Sequence, residues 1–179
     1  MENDLSDAAQ RLSIKLPELE LLVSIGASLQ KLQWQVTVAE SCTAGGIGYA
    51  LTSIAGSSAW FEQGFIVYSN AAKERMLEVP AQLLLDHGAV SEPVAGAMAL
   101  GAARCAGAQI ALAVSGIAGP GGGSADKPVG TVCFGWHLPG DTVTERRHFS
   151  GDRAAVREQT IAYSLAKLYG LLQNLEPGL

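Results

Sequence analysis

The sequence has few basic residues and no cluster of them. Its 12 Lys and Arg are outnumbered by 17 Asp and Glu, which leaves a net charge of −5 at neutral pH. A protein that binds nucleic acid usually neutralises phosphates with a basic patch or stripe. We therefore expect no nucleic-acid partner.

Long hydrophobic runs are also absent. No apolar run reaches the roughly 18 residues that a membrane-spanning helix needs. The first twenty residues are acidic and polar, whereas a secretory signal is basic and then apolar. These absences predict a cytoplasmic protein that does not bind membranes.

Cysteine and histidine are scarce, with 3 residues of each. The cysteines contain no C-x-x-C pair, and the histidines lack the spacing of metal ligands. We therefore expect no disulfide and no structural zinc, and we predict neither a metal nor a cofactor. The residues concerned are Cys42, Cys105, Cys133, His87, His137 and His148.

The order of hydrophobic patterns predicts the fold class. The 179 residues suit one domain, with a helical segment at 1–33 packing on a domain at 34–174. Strand patterns alternate with helix patterns before a final hairpin and helix. This order is typical of three layers, α/β/α, around a mixed, mostly parallel sheet of about five strands. The predicted helices are 17–32, 43–54, 71–79, 81–88, 92–108 and 152–172, and the strands are 34–39, 59–69, 109–115, 129–138 and 141–150.

The predicted sheet places a ligand site at one edge. In open α/β sheets, ligands bind beyond the carboxyl ends of the strands. Three loops should gather at that edge, beginning at Glu40, Ser69 and Gly116. Reactive side chains in these loops are therefore candidates for a functional site.

Ser41 and Cys42 lie where a strand should give way to a helix, in AESCTAGG (39–46). The first turn of that helix would face an anion formed beside the Ser41 hydroxyl. Serine is equally one of the best helix N-caps, and its position alone favours that role. Cys42 would be the nucleophile of a thiol hydrolase, although a small buried cysteine is the commoner outcome.

A serine nucleophile needs a base, and lysine is the better candidate here. No G-x-S-x-G motif occurs, and no histidine lies near a junction of this kind. Lys73 lies about three residues into a helix that Asn70 should cap, where the helix dipole lowers the pKa of an amine. Tyr68 would pass a proton or orient the lysine. Surface roles for both residues remain open.

Three further motifs carry weaker signals. SADK (124–127) has the S-x-x-K pattern of serine-lysine hydrolases, but Pro128 and the preceding glycines argue against a helix there. GIAGPGGG (116–123) lacks the features of a Walker loop or dinucleotide fingerprint, yet its backbone can approach a ligand closely. Asp152 and Arg153 either grip a phosphate or serve as an N-cap and a surface arginine.

Five blocks together resemble the C-terminal domain of the competence/damage-inducible protein CinA, in its stand-alone form. They occur in the order AESCTAGG, AGSSAWFEQGFIVYSNAAK, HGAVSEPV, VSGIAGPGGGSADKPVGTV and FSGDR. The resemblance implies an amidohydrolase that converts nicotinamide mononucleotide and water to nicotinate mononucleotide and ammonia, in pyridine nucleotide recycling and without a metal. Only one helix is predicted before the first strand, so we do not expect the activity of the pyrophosphatase-type domain often fused there.

The resemblance also implies roles for individual residues. Ser41 matches the nucleophile, and Tyr68 and Lys73 match its partners. Ala44 stands where the family frequently has glycine, and we expect little effect of this difference. The residues expected to contact the substrate are Cys42, Thr43, Gly116, Gly119, Gly121 and Arg153.

Three other interpretations remain open at this point. The chain would be a non-catalytic nucleotide-binding module if Ser41 only caps a helix. It would be a thiol hydrolase if Cys42 reacts, or an interaction domain if it works through oligomer surfaces. We expect nicotinamide mononucleotide as the small-molecule partner, and we expect a homo-oligomer.

Overall fold

The computed structural model describes residues 17–175, so the first 16 residues of the predicted N-terminal segment lie outside the described residues. Within this range, no helix combines the length and the apolar character that a membrane crossing needs. The helices are α1 (Leu19–Leu32), α2 (Gly46–Thr52), α3 (Asn70–Leu77), α4 (Ala81–His87), α5 (Glu92–Ala106) and α6 (Arg153–Leu175). The strands are β1 (Val36–Glu40), β2 (Phe61–Ile66), β3 (Ile110–Gly116), β4 (Thr131–Leu138) and β5 (Asp141–His148).

The five strands form one mixed sheet in the order β2-β1-β3-β4-β5. β1 pairs in parallel with β2 and with β3, whereas β4 is antiparallel to both β3 and β5. The predicted hairpin is present, because Leu138 pairs with Asp141 across a turn that contains Gly140 at a φ of 88°. The predicted class, a mixed α/β sheet in a single domain, is confirmed.

Helices cover both faces of the sheet. Along β3, Ile110, Leu112 and Val114 join a core with α1, α2 and α6. The alternate residues Ala111 and Ala113 join a second core with α3, α4 and α5. Successive side chains of a strand point to opposite faces, so the apolar run 110–114 of β3 is explained by burial on both sides. The arrangement is the predicted three-layer α/β/α.

Among the helix starts that differ from the sequence prediction, those of α2 and α3 lie beside the site. α2 begins at Gly46 rather than at residue 43, because residues 41–45 form a turn in which Ala44 has a φ of 49° and Gly45 a φ of 96°. The predicted N-cap Asn70 is the first helical residue of α3. The cap is Ser69, whose Oγ accepts a hydrogen bond from the Ala72 N–H at 3.1 Å.

Candidate active site

Ser41 directly follows β1, on the side of the sheet that α3 covers. Its N–H donates to the Val114 carbonyl at 3.1 Å, which continues the pairing with β3 by one residue. Because side chains alternate along a strand, Glu40 points toward α2 while Ser41 points toward α3. The Ser41 side chain is only 8% exposed, and its Oγ lies 3.3 Å from the Nζ of Lys73.

Lys73 is an almost fully buried lysine with no carboxylate among its hydrogen-bond partners in residues 17–175. Its Nζ donates to the carbonyls of Val67 at 2.9 Å and Tyr68 at 3.3 Å. Loss of hydration on burial lowers the pKa of Lys73 below its usual 10.5, and interaction with Cys42 opposes this shift. An amine of this kind is a candidate general base.

The first turn of α2 does not face Ser41, contrary to the sequence prediction. The Glu40 carboxylate accepts hydrogen bonds from the N–H groups of Gly45 at 3.0 Å, Ile47 at 3.1 Å and Gly48 at 2.8 Å. Its negative charge thus occupies the positive end of the helix dipole. Ser41 therefore does not cap α2, and the interpretation of Ser41 as an N-cap is wrong.

Cys42 is buried beside the last residue of β3. A Cβ added at Gly116 would lie 3.2 Å from the Cys42 Sγ, so the Cys42 side chain packs closely against the Gly116 backbone. Burial raises the pKa of the Cys42 thiol to about 12, and the nearby Glu40 contributes in the same direction. At neutral pH this thiol is protonated, which argues against its use as a nucleophile.

Tyr68 meets Lys73 through its backbone and not through its hydroxyl. The side chain is 61% exposed, and the hydroxyl accepts a hydrogen bond from Arg153 Nη2 at 3.3 Å. Arg153 Nη1 donates to the Gly119 carbonyl at 2.9 Å. Arg153, at the start of α6, thus joins the β2–α3 junction to the glycine-rich loop.

The other predicted ligand contacts fall into two groups. Gly119 and Gly121 lie in the loop between β3 and β4, and a Cβ added at Gly121 would meet no atom within 4 Å. Thr43 is fully buried, and its hydroxyl donates to Glu40 Oε2 at 2.6 Å. The Thr43 side chain is therefore occupied by the protein.

The SADK motif takes no part in this site. Its segment, 124–127, is not helical. Ser124 Oγ accepts from the Lys127 N–H at 3.2 Å, while Lys127 Nζ donates to the His87 carbonyl at 2.8 Å. The two side chains do not form a serine-lysine pair, and the prediction that this segment is not a helix is confirmed.

The sequence prediction missed two charged residues next to Ser41. Glu40 is a buried carboxylate at the end of a fully buried strand, which is itself an unusual place for a charge. Arg157 Nη2 donates to the Thr43 carbonyl at 2.9 Å. Arg157 lies four residues after Arg153 in α6, so the helical period could have placed both on one face.

Within residues 17–175, His, Cys, Asp and Glu side chains form no group of three or more that could hold a metal ion. The site consists of Ser41, Lys73 and the turn that follows Ser41. Comparison with known proteins identifies the family to which this arrangement belongs. A family model of the CinA C-terminal domain matches residues 18–172.

The chain belongs to the CinA C-terminal domain family. A curated protein of Enterobacter agglomerans named nicotinamide-nucleotide amidohydrolase PncC is 57% identical over 147 residues, which are 82% of this chain and 90% of that protein. A protein of the same name from Escherichia coli K12 is 51% identical over 158 residues, covering 87% of this chain and 96% of its own length.

Solved structures of the family have the same fold. The crystal structure of competence damage-inducible protein A from Klebsiella pneumoniae aligns with a TM-score of 0.84 at 40% identity, over 88% of this chain and 98% of that chain. The CinA resemblance predicted from the five sequence blocks is therefore confirmed over most of the chain.

Proposed function

We propose that this CinA-family chain is a nicotinamide-nucleotide amidohydrolase that uses Ser41 as its nucleophile and Lys73 as its base. It converts nicotinamide mononucleotide and water to nicotinate mononucleotide and ammonia, a reaction suited to recycling pyridine nucleotides. The observation that carries the proposal is the buried Lys73 amine, 3.3 Å from the Ser41 hydroxyl. The names of relatives that are 51–57% identical support the substrate.

The hydrogen-bond pattern of Lys73 suits a neutral amine. A neutral amine has two N–H donors and one lone pair. The carbonyls of Val67 and Tyr68 can only accept, so they take both N–H groups. In the neutral form the lone pair is then left for the third neighbour, so the Ser41 hydroxyl would donate to Nζ; in the ammonium form Nζ would donate to Oγ instead. The pKa of Lys73, lowered by burial, favours this neutral form.

The reaction runs through an acyl-enzyme. Lys73 removes the Ser41 proton as Oγ attacks the carboxamide carbon, and the carbonyl oxygen becomes an oxyanion. The C–N bond then breaks, and the proton held by Lys73 passes to the leaving nitrogen, which departs as ammonia. Water attacks the ester with Lys73 again as the base, which releases nicotinate mononucleotide and restores the Ser41 hydroxyl.

The oxyanion needs hydrogen-bond donors other than the N–H groups at the start of α2. Because Glu40 occupies the N–H groups of Gly45, Ile47 and Gly48, the donors come from the backbone of the turn 42–44. A backbone donor next to the nucleophile serves this purpose in other serine hydrolases. Loss of one such donor typically costs about 10²–10³ in kcat.

Arg153 and the glycine-rich loop bind the ribose phosphate of the substrate. Arg153 is exposed and holds the Gly119 carbonyl, so its guanidinium lies beside a backbone with little side-chain bulk. Gly116, at the start of this loop, is in contact range of Cys42. Tyr68, with its carbonyl on Lys73 and its hydroxyl on Arg153, connects the reacting end to the phosphate end.

Ammonia release from nicotinamide mononucleotide tests the proposal directly. The purified chain should release ammonia and form nicotinate mononucleotide in equal amounts, and Ser41→Ala should lower kcat by about 10⁴-fold or more. The proposal is wrong if Ser41→Ala retains most of the activity. A nucleotide-binding module would instead show ligand-induced stabilisation without ammonia release.

A further inference from the structure

Glu40 does more than cap a helix, because its carboxylate also holds the turn that carries the nucleophile. It is 1% exposed and accepts four hydrogen bonds, three from the backbone of α2 and its preceding residue and one from Thr43. Its own carbonyl accepts from the Val67 N–H at 2.8 Å. Glu40 therefore connects β1, the turn and α2, directly before Ser41.

Thr43 is the point at which this turn is held from two sides. Its hydroxyl donates to Glu40 Oε2 at 2.6 Å, and its carbonyl accepts from Arg157 Nη2 at 2.9 Å and from the Gly46 N–H at 3.2 Å. Glu40 belongs to the sheet and Arg157 to α6. Two separate elements thus determine where this one residue lies.

A turn of this shape needs such support. Ala44 has a φ of 49°, in the left-handed region that costs a residue with a Cβ about 1–2 kcal/mol. A strained conformation persists only where the surrounding structure holds it.

We infer that Glu40, Thr43 and Arg157 form a clamp that positions the turn 41–44, with Ser41 Oγ against Lys73 and the turn's N–H groups toward the oxyanion. This inference rests on the proposed function. The three residues are positioning residues, because they act through Ser41 and the backbone of the turn.

The Arg157 guanidinium supports a positioning role over direct substrate binding. Its Nε is buried, and among residues 17–175 it has no hydrogen-bond partner. A ligand atom cannot reach a buried Nε without displacing protein, and Nη2 already bonds the Thr43 carbonyl, so these two nitrogens serve the turn rather than a substrate. The unpaired Nε is a cost that the fold bears for this contact.

Substitutions at Thr43 test the clamp with conservative changes. Thr43→Val keeps the shape and removes the hydroxyl that Glu40 holds, whereas Thr43→Ser keeps the hydroxyl. We expect Thr43→Val to lower kcat about 10–100-fold, as for a small misplacement of reacting groups, with KM within about 2-fold. Thr43→Ser should keep a kcat much closer to that of wild type than Thr43→Val does, because it retains the hydroxyl. The rise of kcat/KM with pH should occur at the same pH as in wild type, because the base Lys73 is unchanged.

A matched control separates misplacement from general destabilisation. Thr52→Val makes the same substitution in α2, where the Thr52 hydroxyl bonds only the Gly48 and Tyr49 carbonyls of its own helix. It should leave kcat unchanged even if the melting temperature falls as far as in Thr43→Val. The clamp is refuted if Thr43→Val keeps kcat within about 2-fold, if Thr43→Ser is equally damaging, or if only KM rises.

Two further measurements keep the inference testable in every case. If Thr43→Val does not fold, Arg157→Met decides, since it removes both the contact with Thr43 and the unpaired Nε; a kcat equal to wild type would refute the clamp. If the wild-type chain does not hydrolyse nicotinamide mononucleotide, the proposed function is wrong, but the clamp can still be tested. The clamp is then judged by the rate at which a fluorophosphonate labels Ser41, which Thr43→Val should slow about 10-fold or more and Thr52→Val should not.

Discussion

The Nζ atom of Lys73 lies 3.3 Å from the Oγ atom of Ser41, although 32 positions separate the two residues in the sequence. They meet because β1 and β2 are parallel neighbours whose carboxyl ends lie side by side. Ser41 follows β1, and Lys73 lies in the helix that follows β2. The proposed chemistry depends on this contact more than on any other.

The pH dependence of the reaction should report the ionisation of Lys73. The pKa of Lys73 is lowered by burial, and only the neutral amine can accept the Ser41 proton. We therefore expect kcat/KM to rise with pH through a single ionisation below 10.5, the usual pKa of lysine. A profile without such an acid limb, or with one at the usual lysine pKa, would contradict the role of Lys73.

Replacement of Lys73 should change how stability depends on pH. The pKa of Lys73 is lower in the folded chain than in the unfolded chain, so between these two values the unfolded chain binds more protons and stability rises with pH. Lys73→Met removes this contribution. Urea unfolding at several pH values should show wild type gaining stability relative to Lys73→Met as the pH rises toward 10.5. A constant difference would show that the pKa is not lowered.

Cys42→Ala should retain activity. The Cys42 thiol is buried and its pKa is raised to about 12, so it is not a thiolate at neutral pH. We expect kcat within about 3-fold of wild type, with a loss of stability of about 1 kcal/mol from the smaller side chain. Thiol alkylation of the wild-type chain should inactivate it slowly or not at all. Loss of activity in Cys42→Ala with Ser41→Ala still active would establish the thiol hydrolase instead.

Ala44→Gly should stabilise the chain. Ala44 has a φ of 49°, which glycine adopts without steric cost. After allowing for the greater freedom of glycine in the unfolded chain, we expect a gain of roughly 0.5–1 kcal/mol in the free energy of unfolding. Ala50→Gly, inside α2, is the control and should lose about 1 kcal/mol or more. Equal losses in both variants would contradict the strained turn.

Arg153→Ala should weaken binding of the nucleotide substrate. If Arg153 pairs with the phosphate, its loss should raise KM by about 10-fold or more. The KM for nicotinamide riboside, which lacks the phosphate, should rise far less. Arg75→Ala, an exposed arginine of α3, is the control and should leave KM unchanged. An equal rise in KM for both substrates would show that Arg153 does not pair with the phosphate and only holds the Gly119 carbonyl.

Local patterns predicted the layers well, because they depend on periodicities that a sequence displays directly. The patterns at 34–39 and 109–115 predicted strands, and the two final strand patterns predicted a hairpin. Helix starts were less accurate. The start of α2 was predicted too early because AESCTAGG has no marker for a turn with positive φ at Ala44.

The amino-acid sequence by itself determined the family and the order of the elements, and it nominated Ser41 and Lys73 as the candidate reactive pair. Only the tertiary structure decided how these residues are held. It assigned the N-terminus of α2 to Glu40, placed the Tyr68 hydroxyl on Arg153 and brought Arg157 to Thr43 across 114 positions. The physical reason is that propensity and periodicity act within a few residues. Hydrogen bonds between distant elements depend on how the sheet and its helices pack.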